Sequence, residues 1–268
     1  MLYWNEDRFR LQVSMGRVRI NNDFNNHMGG RAKFTNLING MQVRFSYRFA
    51  QRFFIGALYS ISDTTYDPDD RETKAYLKSV DAEDTTISGM GATLTYDSRD
   101  SQHYPHSGIF SEIKFLSMLD AIGSDEEYDV LEAEFNNFYQ YIPRHTLATR
   151  VYGRFTSSST PYGGLSKLGQ RNDLRGYTAG EYVAENLISA QIEYRWQLTK
   201  RWGLVGFAGI ADLYDGSIRN TDTDNLFTSG GFGIRYMLQT VQRINFRVDF
   251  AFGEGDNDGV YVSIKEAF

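Results

Sequence analysis

The chain contains no cysteine, only four prolines in 268 residues, and no apolar run that reaches the roughly 18 residues a transmembrane helix needs. The first absence removes disulfide frameworks, thiolate metal sites and a cysteine nucleophile from consideration. The third excludes a spanning helix and leaves spanning strands open. A basic excess is also missing: the formal charge is −6, whereas a binder of phosphate backbones gathers positive charge on one face. No nucleic-acid partner is therefore expected. The opening MLYWNEDRFR lacks a basic stretch followed by an apolar one, so a leader has been removed or the sequence is a fragment.

Catalytic patterns are equally scarce. No Gly-x-Ser-x-Gly elbow occurs, and the four histidines, His27, His103, His106 and His145, are scattered over expected loops and turns. His103 and His106 lie three apart beside a proline without a third ligand nearby, and EGDNDG lacks the spacing of a dedicated calcium loop. The acidic runs DPDDRE, NTDTDN and EGDNDG read as solvated loops. No enzyme, metal or cofactor is expected.

What the sequence does have is aromatic residues, 15% of the chain, with abundant Gly, Asn, Asp, Ser and Thr. That is a vocabulary of strands and turns. The dominant period is two. In QVRFSYRF, Val43, Phe45, Tyr47 and Phe49 fall on one face and Gln42, Arg44, Ser46 and Arg48 on the other. SAQIEYRWQL sets Ile192, Tyr194 and Trp196 against Gln191, Glu193 and Arg195, and INFRVDFAF sets Phe246, Val248 and Phe250 against Asn245, Arg247 and Asp249.

On this basis twelve strands are predicted, at 8–20, 39–50, 52–62, 87–98, 108–119, 128–142, 146–158, 186–198, 202–214, 226–239, 244–255 and 259–268. A change of apolar parity at Gly16-Arg17 suggests a bulge. Short turns alternate with long polar loops at 21–38, 63–86, 120–127, 159–185 and 215–225, and 98–108 is longer than that alternation predicts. In an antiparallel sheet this places short turns on one rim and long loops on the other, as in outer-membrane barrels. With twelve strands both termini fall on the short-turn rim, the periplasmic one in such barrels. A soluble sandwich or lipocalin-like barrel shares the alternation; aromatics near strand ends and paired charges on the polar faces favour a membrane barrel.

Four stretches then resemble one family. YDSRD with YPHSG (Tyr96–Asp100, Tyr104–Gly108), LRGY (Leu174, Arg175, Gly176, Tyr177), the IEYRW strand, and the closing DGVYVSIKEAF are similar, in order and spacing, to the bacterial surface-antigen superfamily of outer-membrane barrels that includes BamA and TamA. The resemblance covers essentially the whole chain as a single barrel domain. It implies an all-β, transmembrane, up-and-down antiparallel barrel in the outer membrane of a Gram-negative bacterium, with periplasmic termini. The family barrel has sixteen strands and follows POTRA modules; twelve strands and no POTRA domain are visible here. The chain thus corresponds to a minimal member or to one without its first four strands.

The resemblance further implies that the 159–185 loop folds into the lumen. An arginine withdrawn from water needs a carboxylate, and Glu193 on the polar face is the expected partner of Arg175. Where the family carries a second aspartate this chain has Gly209, and Asp212 lies on the wrong parity, so backbone carbonyls or water are expected to complete the site. At the chain's close, Gly259, Tyr261, Val262, Ile264 and Phe268 match the family's sorting signal, with Val260, Val262, Ile264 and Phe268 on one face and Glu266 departing from the pattern. Implied partners are outer-membrane lipids, the assembly machinery during biogenesis, and client outer-membrane or secreted proteins. The implied activity is assembly, insertion or translocation through a plugged lumen and a lateral seam. A passive pore and a structural anchor for a partner protein remain as alternatives.

Overall fold

The computed structural model describes residues 2–4, 7–25, 29–80, 82–157, 160–169, 174–178, 180–214, 226–264 and 266–268. Arg171, Asn172, Asp173, His27 and the predicted loop 215–225 lie outside them.

Thirteen strands form one antiparallel sheet in sequence order. They are β1 (Leu2–Trp4), β2 (Phe9–Asn25), β3 (Arg31–Ala50), β4 (Phe53–Pro68), β5 (Thr85–Asp97), β6 (Gly108–Met118), β7 (Tyr128–Ile142), β8 (His145–Thr156), β11 (Asn186–Gln197), β12 (Trp202–Tyr214), β13 (Leu226–Gln239), β14 (Ile244–Phe252) and β15 (Asp258–Ser263). The remaining pair, β9 (Ser166–Lys167) and β10 (Val183–Ala184), forms a ribbon inside the connection between β8 and β11. Among the described residues the sheet is not closed: β1 and β2 make one edge and β15 the other.

The alternation sorts the two faces as a membrane wall requires. Val13, Phe45, Ile55, Leu94, Phe115, Phe135, Ile192, Leu204, Ile234 and Val262 are exposed, whereas Arg150, Glu193, Arg195, Arg235 and Asp249 are buried. A soluble barrel would show the reverse. The concave face is crossed by long side chains: Arg44 on β3 donates to Glu112 on β6 at 2.7 Å, across the two intervening strands, and Thr95 donates to the same carboxylate at 2.9 Å. Lys114 and Glu132 add a pair at 2.6 Å. The Arg44–Glu112 contact requires the sheet to curl inward, since neighbouring strands lie about 4.8 Å apart.

Three sequence expectations change. The register of β2 against β3 runs unbroken from Phe9–Tyr47 to Asn25–Arg31, so no bulge exists at Gly16-Arg17. Val18 and Ile20 keep the inward parity of Gln12 and Ser14, and it is the interior that turns apolar toward the long-loop end, where Phe24 and Phe34 pack under a cap. Second, the expected loop 21–38 is largely strand, and β4 extends to Pro68 into the expected loop 63–86. Most outward positions there, among them Asn21, Asp23, Lys33, Asp63, Thr65 and Asp67, are polar or charged because the β2–β3–β4 hairpins project past the apolar belt. Third, a helix, α1 (Arg71–Ser79), lies between β4 and β5. Asp70 caps it by accepting from the Thr73 amide at 2.6 Å, with Glu72 in the first turn and Lys78 in the last to suit the helix dipole. Tyr76 and Leu77 pack with Phe24, Phe34, Tyr162, Leu165 and Val183, roofing the long-loop side.

Candidate functional site

The connection between β8 and β11 does turn inward. Leu174, Arg175, Gly176 and Tyr177 are buried in the concave face, and each has a specific seat. Leu174 rests over Gly209 of β12, where a Cβ would collide with its side chain. The glycine that stands at the family's aspartate position is therefore the floor of the leucine pocket. Gly176 has φ +109°, and a Cβ there would meet the backbone of Phe252 and Gly253 at 3.0–3.1 Å. Only glycine suits both constraints. Its amide donates to the Tyr261 hydroxyl at 2.7 Å. Tyr177 donates its hydroxyl to the Thr228 carbonyl at 2.6 Å, accepts from the Glu254 amide at 3.1 Å, and packs edge-on against Phe227.

Arg175 is clamped by two carboxylates. Its guanidinium donates to Glu193 Oε2 at 3.0 Å and to Asp249 Oδ2 at 2.8 Å, while the Phe207 ring stacks against it with 3.4 Å from Cζ to the centroid. The second partner is thus Asp249 of β14, a side chain, and not the backbone carbonyl or water expected. Glu193 and Asp249 have no solvent exposure. An isolated buried carboxylate is costly, so each is multiply paired. Arg195 donates to Glu193 Oε1 at 2.7 Å; Arg235 donates to Asp249 Oδ1 at 2.5 Å, and Arg247 to Asp249 Oδ2 at 2.9 Å. The arginines outnumber these two carboxylates, and Glu266 offsets part of the excess by accepting from Arg235 at 2.8 Å and Asn245 at 2.9 Å.

Glu266 also redirects the chain's last residues. The final strand was expected to run over 259–268, but β15 stops at Ser263. Val260, Val262 and Ile264 face outward, as the sorting pattern requires, whereas Phe268 leaves that face. Its carbonyl accepts from Arg195 at 3.0 Å, and its ring lies 5.7 Å from Arg195 and 5.8 Å from Arg150. Drawing Glu266 to the buried Arg235 costs the strand its parity. Gly259 and Tyr261 keep theirs: Tyr261 points inward onto Gly176, and a Cβ at Gly259 would strike the Tyr261 ring.

The Omp85 superfamily domain matches residues 2–266. The chain belongs to the Omp85 superfamily. Solved structures with a similar fold include BamA from Haemophilus ducreyi lacking POTRA domains 1–3, at 14% identity and TM-score 0.63 over 97% of this chain and 58% of that one. CdiB from Escherichia coli (10%, TM-score 0.62, 96% and 50%) and CdiB from Acinetobacter baumannii (8%, TM-score 0.62, 95% and 47%) are also similar. This Omp85 chain therefore spans about half the length of the two CdiB chains and little more than half of the BamA chain. Among curated proteins nothing matches it. The family places the barrel in the outer membrane of a Gram-negative bacterium.

A second segment, 98–107, packs onto the concave face from the short-turn rim. Tyr104 and Pro105 are buried; the Pro105 carbonyl accepts from Arg195 at 3.4 Å, and Asp100 accepts from Arg243, in the turn after β13, at 2.6 Å. Burial opposes ionisation of Asp100, but hydrogen bonds from Arg243 and from the His106 and Ser107 amides outweigh it and hold the carboxyl below its usual range. Burial, then the nearby Arg243, lowers the His106 imidazole. Beside this segment lies a cavity of about 160 Å³, lined by Arg10, Arg44, Asp97, Arg99 and Glu112 among others.

The residues that sequence reasoning missed were Asp249, Arg235, Phe207 and the inward role of Tyr261. All but the last lie on strands already read as alternating, with the lumen parity shared by Glu193. The alternation could have marked Asp249 as a candidate. Which lumen carboxylate a loop arginine reaches depends on curvature, which the period of two does not carry.

Proposed function

We propose that this Omp85 barrel acts in assembly, insertion or translocation of client outer-membrane or secreted proteins, with both termini on the periplasmic side and with no covalent chemistry. The observation that carries this reading is the clamp of Arg175 between Glu193 and Asp249. A passive pore gains nothing from fixing a loop across its lumen with buried ion pairs, whereas a machine that handles clients keeps its lumen shut at rest.

The reading is tested in planar bilayers and by client capture. The wild-type barrel shows low conductance, deletion of 165–182 raises it several-fold, and photo-crosslinkers placed along β2 and β15 capture the same client protein. An unchanged high conductance in both forms, without capture, assigns a channel instead.

A further inference from the structure

The short turns repeat one unusual choice. Arg52, Arg144 and Arg243 occupy the left-handed region, with φ of 70°, 72° and 55°. Each follows a register shift, between Arg48 and Ala50, Gln140 and Ile142, and Met237 and Gln239. This is the bulged hairpin turn whose left-handed residue is ordinarily glycine or asparagine. Arginine recurs there at a conformational cost, so its side chain has a use beyond the turn.

The turn next to that of Arg144 carries two further cations, Lys200 and Arg201. The β7–β8 and β11–β12 turns are neighbours on the rim, since the Gln197 amide donates to the Arg144 carbonyl at 2.9 Å. Arg144, Lys200 and Arg201 are exposed, and none forms an ion pair with a carboxylate among the described residues. Just inside them, on the outward face, lies an aromatic patch. His145 stacks on Trp196 at 5.7 Å and hydrogen-bonds the Tyr194 hydroxyl at 2.6 Å, and Trp202 packs against Tyr236 at 4.8 Å. Half-exposed Trp and Tyr rings mark the headgroup level of a bilayer.

We propose that Arg144, Lys200 and Arg201 form a binding site for the phosphate of an anionic phospholipid in the leaflet at the short-turn rim, with Trp196 and Trp202 against its glycerol and upper acyl chains. The proposal rests on the membrane-spanning reading of the sheet. Three exposed cations on two neighbouring turns, held by backbone carbonyls (Arg144 to Leu198, Arg201 to Met237) and not by carboxylates, fit a phosphodiester with an uncompensated charge and give a zwitterionic headgroup no advantage.

The test uses the chain carrying Trp4→Phe, reconstituted in phosphatidylcholine vesicles that contain brominated phosphatidylglycerol or brominated phosphatidylcholine at equal fraction. The two remaining tryptophans report on this patch. Brominated phosphatidylglycerol is expected to quench as though enriched about fivefold at low salt, and the excess shrinks in 0.5 M NaCl, roughly as Debye screening requires. R144Q/K200Q/R201Q abolishes the excess while leaving quenching by phosphatidylcholine intact; R144K/R201K keeps it and controls for folding. Equal quenching by the two lipids overturns the site but leaves the membrane reading standing. No quenching by either overturns both. An excess that survives R144Q/K200Q/R201Q, or that millimolar inorganic phosphate removes, overturns the assignment to lipid at these residues.

Discussion

Arg175 donates to Asp249 at 2.8 Å across 74 residues of sequence, tying an inward loop to the penultimate strand of the sheet. The same guanidinium reaches Glu193 on β11, so one loop side chain bridges two strands separated by β12 and β13.

Removing that bridge frees the loop while leaving the wall intact. Arg175→Ala is expected to weaken loop docking by about 3 kcal/mol, the cost of breaking a buried pair, because Arg195, Arg235 and Arg247 still neutralise the two carboxylates. Limited proteolysis of folded protein in lipid then cuts within 160–182 at least tenfold faster. Arg175→Lys recovers little, since an ammonium is a point charge and lacks the fork that spans both carboxylates.

Asp249 and Glu193 should contribute comparably. A double-mutant cycle of Arg175→Ala with Asp249→Asn, read from urea midpoints in vesicles, is expected to give a coupling of about 1–3 kcal/mol. The same cycle with Asp212→Asn gives none, and a larger coupling to Asp212 than to Asp249 contradicts the clamp.

These two partners also divide what could be read from the sequence. The sheet order and the alternating faces were legible because period two and loop lengths are local properties, whereas the inward LRGY turn was legible only through the family resemblance. Glu193 was legible through the family resemblance. Asp249 was not, because the family position it replaces is Gly209, whose space the Leu174 side chain fills. The bend at Phe268 was hidden for a similar reason: only the burial of Arg235 shows what pulls Glu266 out of parity.

Gly209 consequently leaves no room for a side chain beneath Leu174. Gly209→Asp is expected to displace Leu174 and lower stability by roughly 1–3 kcal/mol, without creating a third partner for Arg175. Thermal unfolding monitored by heat-modifiable electrophoretic mobility measures this; a stabilised variant runs against the packing described.

The 98–107 segment should loosen in acid. Asp100 is lowered in the docked state, so its contribution is fully present above the free carboxyl value of about 4 and is lost as pH falls through the docked value. His106 is lowered as well; below about 6.5 the undocked form binds more protons, so docking weakens there too. Hydrogen exchange of 99–107 is expected to accelerate, beyond intrinsic chemistry, between pH 7 and 5 and again below pH 4. Asp100→Asn removes the lower step and His106→Gln the upper.

The seating of the loop is most directly tested by joining it to the wall. The chain is free of cysteine, so L174C/G209C is the sole thiol pair in that variant, and a short thiosulfonate reagent tolerates imperfect disulfide geometry. The loop seated on β12 predicts rapid, near-complete crosslinking in intact outer membranes, with no crosslink in L174C/I192C, whose second thiol faces lipid. A loop held outside the lumen gives no L174C/G209C product under the same conditions, and that result would contradict the clamp and the plugged lumen together.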